Sequence, residues 1–225
     1  TSPLVINPHT LPDVPYDTLR DFAPITLVAG DPHALAVSSN SPVNSLADLI
    51  ELSKTRPVTL ASSGAGTQAH LAIEQLVQEA GVAFTHVPYN GAGPAITDVI
   101  GGHVDGVVAD LAGAYPFIES GDMRAIVTMD SERYVFLPDT PSAVEAGYPN
   151  FIAITFMGIL APAGTPEDVQ VKLRDAFVEV VSQQAVIDAL AKVALEPMTS
   201  ESPQQLVEFL RAEDAKWGEI ASTID

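Results

Sequence analysis

The strongest constraint on the fold is a unit of strand, small-residue loop and helix that occurs twice in succession. From Val58 to Gly81 an apolar run is followed by the loop SSGAGT and by a helical pattern that ends at a glycine. The run FTHVPYN, the loop GAG and the segment PAITDVIGG repeat this order over residues 84–102. Alternation of this kind predicts an α/β fold with a mainly parallel sheet.

The two loops fall where strands give way to helices, which is where open α/β sheets bind ligands. Glycines let a backbone approach a ligand closely, and the start of a helix offers N–H groups and a positive dipole end to an anion. The first loop lacks the lysine of a phosphate-binding loop and does not match G-x-G-x-x-G, which disfavours a nucleotide. The hydroxyls of Ser62, Ser63 and Thr67 suit a carboxylate. The alternative is a tight connection whose small residues serve packing alone.

The remaining segments predict further strands and helices. FAPITLVAG and HALAVSS are expected to be two short strands separated by a turn at residues 30–32. Asn44 or Ser45 is expected to cap a short helix, and VDGVVAD, LAGAYPFIESG and MRAIVTM continue the alternation. After FIAITFMGILAP, a long helix is expected to open at Thr165–Asp168 and another at Ser202. The last helices are predicted to pack through an apolar face that carries Leu206, Phe209, Leu210 and Trp217.

Composition excludes several classes of protein. Ten Lys and Arg against 29 Asp and Glu, a net charge of −19, argue against binding to nucleic acid or to an anionic membrane. An anionic ligand would therefore depend on helix N-termini, hydroxyls and ordered water. The absence of cysteine excludes disulfides and thiolate metal sites. The longest apolar run is shorter than the roughly 20 residues of a membrane-spanning helix, and the first residues, TSPLVINPHT, show no export signal.

A serine hydrolase is an alternative function, because the chain contains the ingredients of a catalytic triad. The nucleophile would be Ser62 or Ser63, with a histidine as base and a carboxylate to orient it; the candidates are His70, His86, His103, Asp105 and Asp110. The G-x-S-x-G spacing is missing, and nothing in the sequence places a histidine beside a serine. The histidines are expected at helix surfaces or sheet edges.

A metal site is disfavoured for a similar reason. His70 and Glu74 lie four residues apart, but no second histidine completes an H-E-x-x-H pattern, so a solvated polar pair is the expected arrangement. Asp110 ends a predicted strand and could meet a polar group of a ligand. Asp105 is expected to be a turn residue before that strand. We expect no cofactor and no metal.

Several linked motifs, in order and over essentially the whole chain, resemble one family. They are LPDVPYDTLRDFAPITLVAG, VTLASSGAGTQAHLA, HVPYNGAGPAITDVIGGHVDG, LPDTPSAVEAGYPNF, GILAPAGTP and FLRAEDAKWGEI. This order is similar to that of the substrate-binding proteins of tripartite tricarboxylate transporters, the Bug receptors.

The resemblance implies a monomeric, non-enzymatic periplasmic receptor of the type II binding-protein fold. Such a receptor has two Rossmann-like lobes that close over a small carboxylate and deliver it to a membrane permease. The carboxylates bound in the family include di- and tricarboxylates, acidic amino acids and aromatic acids. On this basis residues 34–128 are expected to form one lobe, and residues 1–33 and 129–225 to belong to the other.

The resemblance also implies a set of ligand-binding residues. The first loop supplies Ser62, Ser63, Gly64, Gly66 and Thr67. The second loop supplies Asn90, Gly91 and Ala92, and the end of the following strand supplies Asp110. Thr155 and Phe156 match a segment of the other lobe that faces the ligand, although Phe156 and Met157 fit ordinary core packing equally well.

One departure from the family concerns the start of the chain. Family members begin with further strand–helix units that include a loop rich in proline and glycine, and this sequence is expected to start after them. A truncated fragment that binds no ligand and serves as an interaction module is therefore a further alternative.

Overall fold

The computed structural model describes residues 2–224, which divide into two compact units. The central unit is Pro32–Ile154, and the discontinuous unit combines residues 2–31 with residues 155–224. No helix within residues 2–224 is both long and apolar enough to cross a membrane. The lobe boundaries predicted from the sequence differ from this division in the placement of residues 129–154 and of residues 32 and 33.

Backbone hydrogen bonds explain why residues 129–154 belong to the central unit. The His33 N–H donates to the Ala153 carbonyl at 2.8 Å, and the Met129 N–H donates to the His33 carbonyl at 2.8 Å. The side chain of Gln68 also reaches this segment, because its Nε2 donates to the Ile154 carbonyl at 2.9 Å. The proline-rich sequence of this segment contains no sign of these long-range bonds.

The central unit is a sheet with helices after its strands. Two helices, α1 (Ser2–Thr10) and α2 (Thr18–Asp21), precede it in the chain. The elements of the central unit are β1 (Phe22–Ser38, shared with the discontinuous unit), α3 (Leu46–Ser53), β2 (Thr59–Ser62), α4 (Gln68–Ala80), β3 (Thr85–Pro88), α5 (Ala92–Ile100), β4 (Gly106–Asp110), α6 (Leu111–Glu119) and β5 (Met123–Thr128). The strand order is β3-β2-β4-β1-β5. The first loop connects β2 to α4 and the second connects β3 to α5, as predicted.

The sheet is mixed, so the prediction of a mainly parallel sheet needs correction. β2 pairs in parallel with β3 and with β4, whereas β1 pairs antiparallel with both β4 and β5. Strands β2 to β5 are joined by helical crossovers and run the same way, as such connections require. β1 precedes them in the chain and lies between β4 and β5 in the opposite direction. Local periodicity cannot show that an early strand is inserted between later ones.

The predicted turn at residues 30–32 is also wrong, because β1 continues through it. Gly30 pairs with Glu196 on one side of this segment, and His33 pairs with Asp110 on the other. Paired on both flanks, Gly-Asp-Pro stays extended in spite of its turn-forming composition. Ladder pairing has overridden local propensity at this position.

Small and β-branched side chains form the core between this sheet and α5 and α6. The cluster of buried residues comprises Ala36, Ala61, Ala95, Ile96, Val99, Val104, Val107, Ala109, Ala114 and Met123. α4 is covered more completely than its amphipathic pattern suggested, since its buried residues include Gln68, His70 and Gln75. These polar side chains have internal partners: His70 Nδ1 accepts from the Gly66 N–H of the first loop, and Gln68 and Gln75 donate to the carbonyls of Ile154 and Asn150.

The discontinuous unit contains the two ends of the chain. It holds α1 and α2, the first part of β1, β6 (Ile154–Pro162, whose first residue is in the central unit), α7 (Glu167–Val181), α8 (Gln184–Ala191), β7 (Glu196–Pro197) and α9 (Pro203–Ala221). α9 buries Leu206, Leu210, Trp217 and Ile220, which confirms its predicted packing role. α7 and α8 bury only Val181 among their described residues, so that prediction does not extend to them.

Two helix starts, at Ser45 and Ser202, match the predictions from the sequence, and Thr67, which the sequence suggested only as a ligand group, is a third capping residue. The hydroxyls of Ser45, Thr67 and Ser202 each accept a hydrogen bond from the backbone N–H three residues later. α7 differs, because its N-cap is Pro166 and the Thr165 hydroxyl instead donates back to the Pro162 carbonyl at 2.8 Å. At the other end of α4, Gly81 takes φ 63°, the left-handed conformation of a helix C-cap.

Replacement of Gly81 tests this C-cap. No atom lies within 4 Å of where a Cβ would be placed, so the cost of Gly81→Ala is purely conformational. We expect Gly81→Ala to lower the free energy of unfolding by about 1 kcal/mol. Gly81→Asn should lose less, because asparagine tolerates the left-handed region. Urea unfolding measures both, and equal stability of the alanine variant and the natural chain would contradict the assignment.

Candidate functional site

Three parallel strands end at one edge of the central sheet, and each end leads into a helix. Ser62, the last residue of β2, pairs with Pro88, the last residue of β3. β4 is in parallel register on the other side of β2, with Ala61 opposite Val107, and it ends at Asp110. The two loops and Asp110, predicted separately from the sequence, are therefore brought together at this edge.

The first loop has a conformation that requires its glycines. Gly64 takes φ 148° and Gly66 takes φ 73°. A Cβ on Gly64 would lie 3.3 Å from the Tyr89 carbonyl of the second loop. The Thr67 hydroxyl donates to the Gly64 carbonyl at 2.7 Å, and Ser63 Oγ lies 3.4 Å from Thr67 Oγ1. The loop is thus a compact turn that closes on itself.

Some donors that the sequence suggested for an anion are already used inside this loop. The Gly64 N–H donates to Ser62 Oγ at 3.2 Å, and the Gly66 N–H donates to His70 Nδ1 at 3.0 Å. Ser62 is fully buried. Its Oγ also contacts the Gly64 carbonyl at 3.1 Å and His86 Nε2 at 2.6 Å. These three residues shape the loop from within, and their assignment as ligand contacts stays a prediction.

Two histidines form a stacked pair behind the first loop. The ring centroids of His70 on α4 and His86 on β3 are 3.9 Å apart, and the rings are inclined by 14°. Burial lowers the pKa of His70. Burial and the neighbouring His70 lower the pKa of His86 to about 4. His70 Nε2 lies 3.6 Å from Glu74 Oε1, whose pKa burial raises. Both rings are therefore uncharged near neutral pH. His70 is buried and His86 is half-buried, whereas the sequence suggested a solvated His70–Glu74 pair.

The second loop is tied to the first by main-chain hydrogen bonds. The Tyr89 N–H donates to the Ser62 carbonyl at 3.1 Å, and the Gly91 N–H donates to the Ser63 carbonyl at 3.0 Å. Gly91 takes φ 106°, with open space around the position of a Cβ. Asn90 is exposed, while Ala92 is half-buried and packs on the core cluster. The shape of one loop thus depends on the shape of the other.

The three helix N-termini at this edge differ in how they are capped. Thr67 Oγ1 accepts from the His70 N–H at the start of α4, and Asp110 Oδ2 accepts from the Gly113 N–H at the start of α6. α5 begins after Gly91 with no side-chain cap. The positive end of α5 is therefore the one at which an external acceptor would replace a missing cap. Asp110 is committed to its own helix by this bond.

The Lys and Arg side chains of the central unit lie away from the two loops. Neither loop contains Lys or Arg. The four Lys and Arg side chains of residues 32–154 contact partners away from the loops; they are Lys54 with Glu51, Arg56 with Asp105, Arg124 with the carbonyls of Ser41 and Val43, and Arg133 with Glu145. An anion at this edge would be held by hydroxyls, backbone N–H groups and the dipole of α5.

The geometry does not assemble the triad of a serine hydrolase. The structure does place His86 beside Ser62, which the sequence could not show, but Ser62 is inaccessible and a histidine with a pKa of about 4 is a weak base. Asp105 bonds instead to Arg56 and Thr59. Burial acts to raise the pKa of Asp105, but these hydrogen bonds lower it overall. Asp105 lies in the turn before β4, as predicted, and His103 is exposed in the same turn.

No metal centre is formed by the described residues, among which no three His, Asp or Glu side chains are placed to hold one ion. His70 and Glu74 stand as a pair, with His70 Nδ1 occupied by the Gly66 N–H. The arrangement provides two hydrogen-bonding groups where a zinc site needs at least three protein ligands.

The last two predicted residues lie on β6, in the discontinuous unit, and are described separately. Phe156 is fully buried and packs edge-on against Phe209, with ring centroids 4.9 Å apart. Its N–H is also used, since it donates to Ser2 Oγ at 3.1 Å. This is the packing role that the sequence left open for Phe156. Thr155 is half-buried and Met157 is exposed.

The contacts of the two histidines with the first loop are not among the predictions from the sequence, although signals for them are present there. Side chains on a helix lean towards its N-terminus, so a histidine three residues after the N-cap reaches back over the loop. His86 pairs with Leu60, and Leu60 shares a face of β2 with Ser62. His86 and Ser62 are therefore diagonal neighbours, but only once the register of β2 and β3 is known.

Comparison with known proteins decides the family. The family model described as tripartite tricarboxylate transporter family receptor, TctC, matches residues 1–225. The chain belongs to this family. Protein BugT of Bordetella pertussis is 32% identical over 222 residues, which are 98% of this chain and 68% of BugT. Over five curated relatives, the chain spans 59% to 68% of the relative's length.

Solved structures confirm the fold class of this TctC-family chain. Rhodopseudomonas palustris Rpa4515 with adipate has a TM-score of 0.86 and 28% identity, with 98% of this chain and 75% of that chain covered. MatC (Rpa3494) from Rhodopseudomonas palustris with bound malate has a TM-score of 0.80 and 27% identity over the same shares. The predicted α/β fold of periplasmic binding proteins is therefore confirmed.

The lowered pKa of His86 predicts a pH dependence of stability. A histidine in the unfolded chain has a pKa of about 6.5, whereas that of His86 in the folded chain is about 4. Between these values the unfolded chain binds a proton that the folded chain does not, so stability falls as the pH is lowered. The slope contributed by His86 is at most about 1.4 kcal/mol per pH unit.

Urea unfolding between pH 7 and pH 4.5 measures this slope. His70 contributes in the same direction, so we expect His86→Gln to reduce the pH dependence without abolishing it. His103→Gln, at an exposed turn histidine, serves as the matched control and should keep the slope of the natural chain. An unchanged slope in His86→Gln would show that this histidine is not kept neutral by the fold.

Proposed function

We propose that the chain is the ligand-binding part of an extracytoplasmic receptor that captures a small organic carboxylate. A carboxylate group of the ligand would lie at the edge formed by the first loop, the second loop and the start of α5. The receptor would act in the periplasm and deliver the acid to the permease of a tripartite tricarboxylate transporter. It would act without catalysis, in keeping with the receptor family to which the chain belongs.

The observation that carries this proposal is the uncapped N-terminus of α5 beside a hydroxyl-bearing loop. α4 and α6 are capped by their own residues, and α5 is not. The exposed Asn90 and the half-buried Ser63 lie at the same edge. Because Lys and Arg are committed elsewhere in the central unit, these groups are the ones that suit an anion there.

Two structural relatives support the class of ligand. Rpa4515 was solved with adipate and MatC with malate, and both acids carry two carboxylates. We therefore propose a di- or tricarboxylate as the ligand class, with acidic amino acids and aromatic acids as the other candidates. Backbone N–H groups and hydroxyls recognise the carboxylate itself, so the rest of the acid must be identified by experiment.

A charge placed at the start of α5 tests the proposal. Gly93 is exposed, and no atom lies within 4 Å of the position of its Cβ. Gly93→Asp puts a carboxylate at the N-terminus of α5, where an acid favours the helix but repels a bound anion. We expect adipate or malate affinity, measured by isothermal titration calorimetry, to fall by about tenfold or more. The free energy of unfolding should stay equal or rise slightly.

Two matched variants separate this effect from others. Gly93→Asn has nearly the same shape without the charge, and it should bind within about twofold of the natural chain. Asn40→Asp adds the same charge after β1, at the opposite edge of the sheet, and should leave affinity unchanged. If the natural chain binds no acid of a panel that includes malate, adipate, citrate and glutamate, or if Gly93→Asp binds normally, the proposed site is wrong.

A further inference from the structure

The first loop is built from residues that do not hold a shape by themselves. It contains two glycines at positive φ and four small side chains with hydroxyl or methyl groups. Glycine loses more conformational freedom on folding than any other residue, so such a segment needs external contacts to stay in one conformation.

Two side-chain contacts reach this loop from regular secondary structure behind it. His70, in the first turn of α4, accepts the Gly66 N–H on Nδ1 at 3.0 Å. His86, on β3, meets Ser62 Oγ at 2.6 Å, and Ser62 Oγ in turn accepts the Gly64 N–H. Both halves of the loop are therefore attached to an imidazole.

The two imidazoles hold each other in place. Their rings stack at a centroid distance of 3.9 Å. Because Nδ1 of His70 accepts a hydrogen bond, its proton is on Nε2, the nitrogen that lies 3.6 Å from Glu74 Oε1. Glu74 is thus a titratable group that faces the stack. Each ring is fixed from two sides, as a support for a flexible loop requires.

The effect of this support extends to the second loop. The Ser62 and Ser63 carbonyls accept the N–H groups of Tyr89 and Gly91. A shift of the first loop would therefore move Gly91, the residue immediately before α5. Neither histidine needs to touch a ligand to influence the start of α5.

We infer that His70 and His86 are positioning residues that set the conformation of both loops at the candidate carboxylate site. The inference rests on the proposed function for its consequence, which is ligand affinity. Its structural part concerns the loops alone and can be tested without ligand.

Isosteric replacements distinguish this role from ordinary packing. His70→Asn keeps an acceptor where Nδ1 was, and His86→Gln keeps a polar group where Nε2 was. His70→Leu and His86→Leu keep the approximate volume and lose the hydrogen bond. A role in packing alone predicts that the leucine variants resemble the natural chain more closely than the amide variants do.

The first measurement is amide hydrogen exchange by NMR on the ligand-free chain. In His70→Leu we expect exchange at Gly66 and Gly91 to rise by about tenfold, because one loop hydrogen bond is lost and the second loop follows. His70→Asn should restore slow exchange at both. The Val107 N–H, in the buried strand β4, reports global opening and corrects for any change in overall stability. Unchanged exchange at Gly91 in both leucine variants would overturn the inference.

The second measurement is the affinity for adipate and malate. Both leucine variants should bind about tenfold more weakly than the natural chain, and the amide variants should recover most of this loss. If the natural chain binds neither acid nor any other carboxylate, the proposed function fails while the exchange data still decide the positioning role. If the natural chain binds and all four variants bind equally well, the positioning inference fails while the proposed function stands.

Discussion

The parallel pairing of β2 with both β3 and β4 is the constraint on which the rest of the central unit depends. It places the ends of three strands at one edge, and it therefore brings together two loops and an aspartate that are far apart in the chain. The same register carries the hydrogen bonds from the second loop to the Ser62 and Ser63 carbonyls. Without this pairing, each loop would be a short glycine-rich connection with no defined neighbour.

Polar groups near this edge form hydrogen bonds within the first loop or cap two of the three helices, and the third helix has no side-chain cap. Ser62, Gly64 and Gly66 form hydrogen bonds within the first loop or with the histidine pair. Thr67 and Asp110 cap α4 and α6. The N-terminus of α5 has no side-chain cap, so the distribution of caps, more than the presence of glycine, points to a place for an anion. This arrangement would give the proposed carboxylate binding a physical basis in a chain with a net charge of −19.

The Ser62–His86 contact shows why proximity alone does not indicate catalysis. A serine and a histidine at 2.6 Å would suggest a nucleophile and its base. Here the serine is buried, the histidine is stacked on a second histidine, and its pKa is lowered to about 4. Such a pair is suited to holding a loop in place, because neutral rings accept and donate hydrogen bonds without a charge that must be solvated.

Local features could be predicted from the sequence alone: the alternation of strands and helices, the caps at Ser45 and Ser202, the glycine end of α4 and the order of family motifs. These depend on residues close together in the chain, where propensity and capping act directly. The folded structure is needed to show that β1 runs through Gly-Asp-Pro, that it lies antiparallel between β4 and β5, and that residues 129–154 join the central unit. It also shows that Phe156 packs against Phe209 and that His86 lies beside Ser62. Each of these outcomes depends on a partner that is distant in the chain, and the periodicity of a segment records which of its own faces is buried but not which segment covers it.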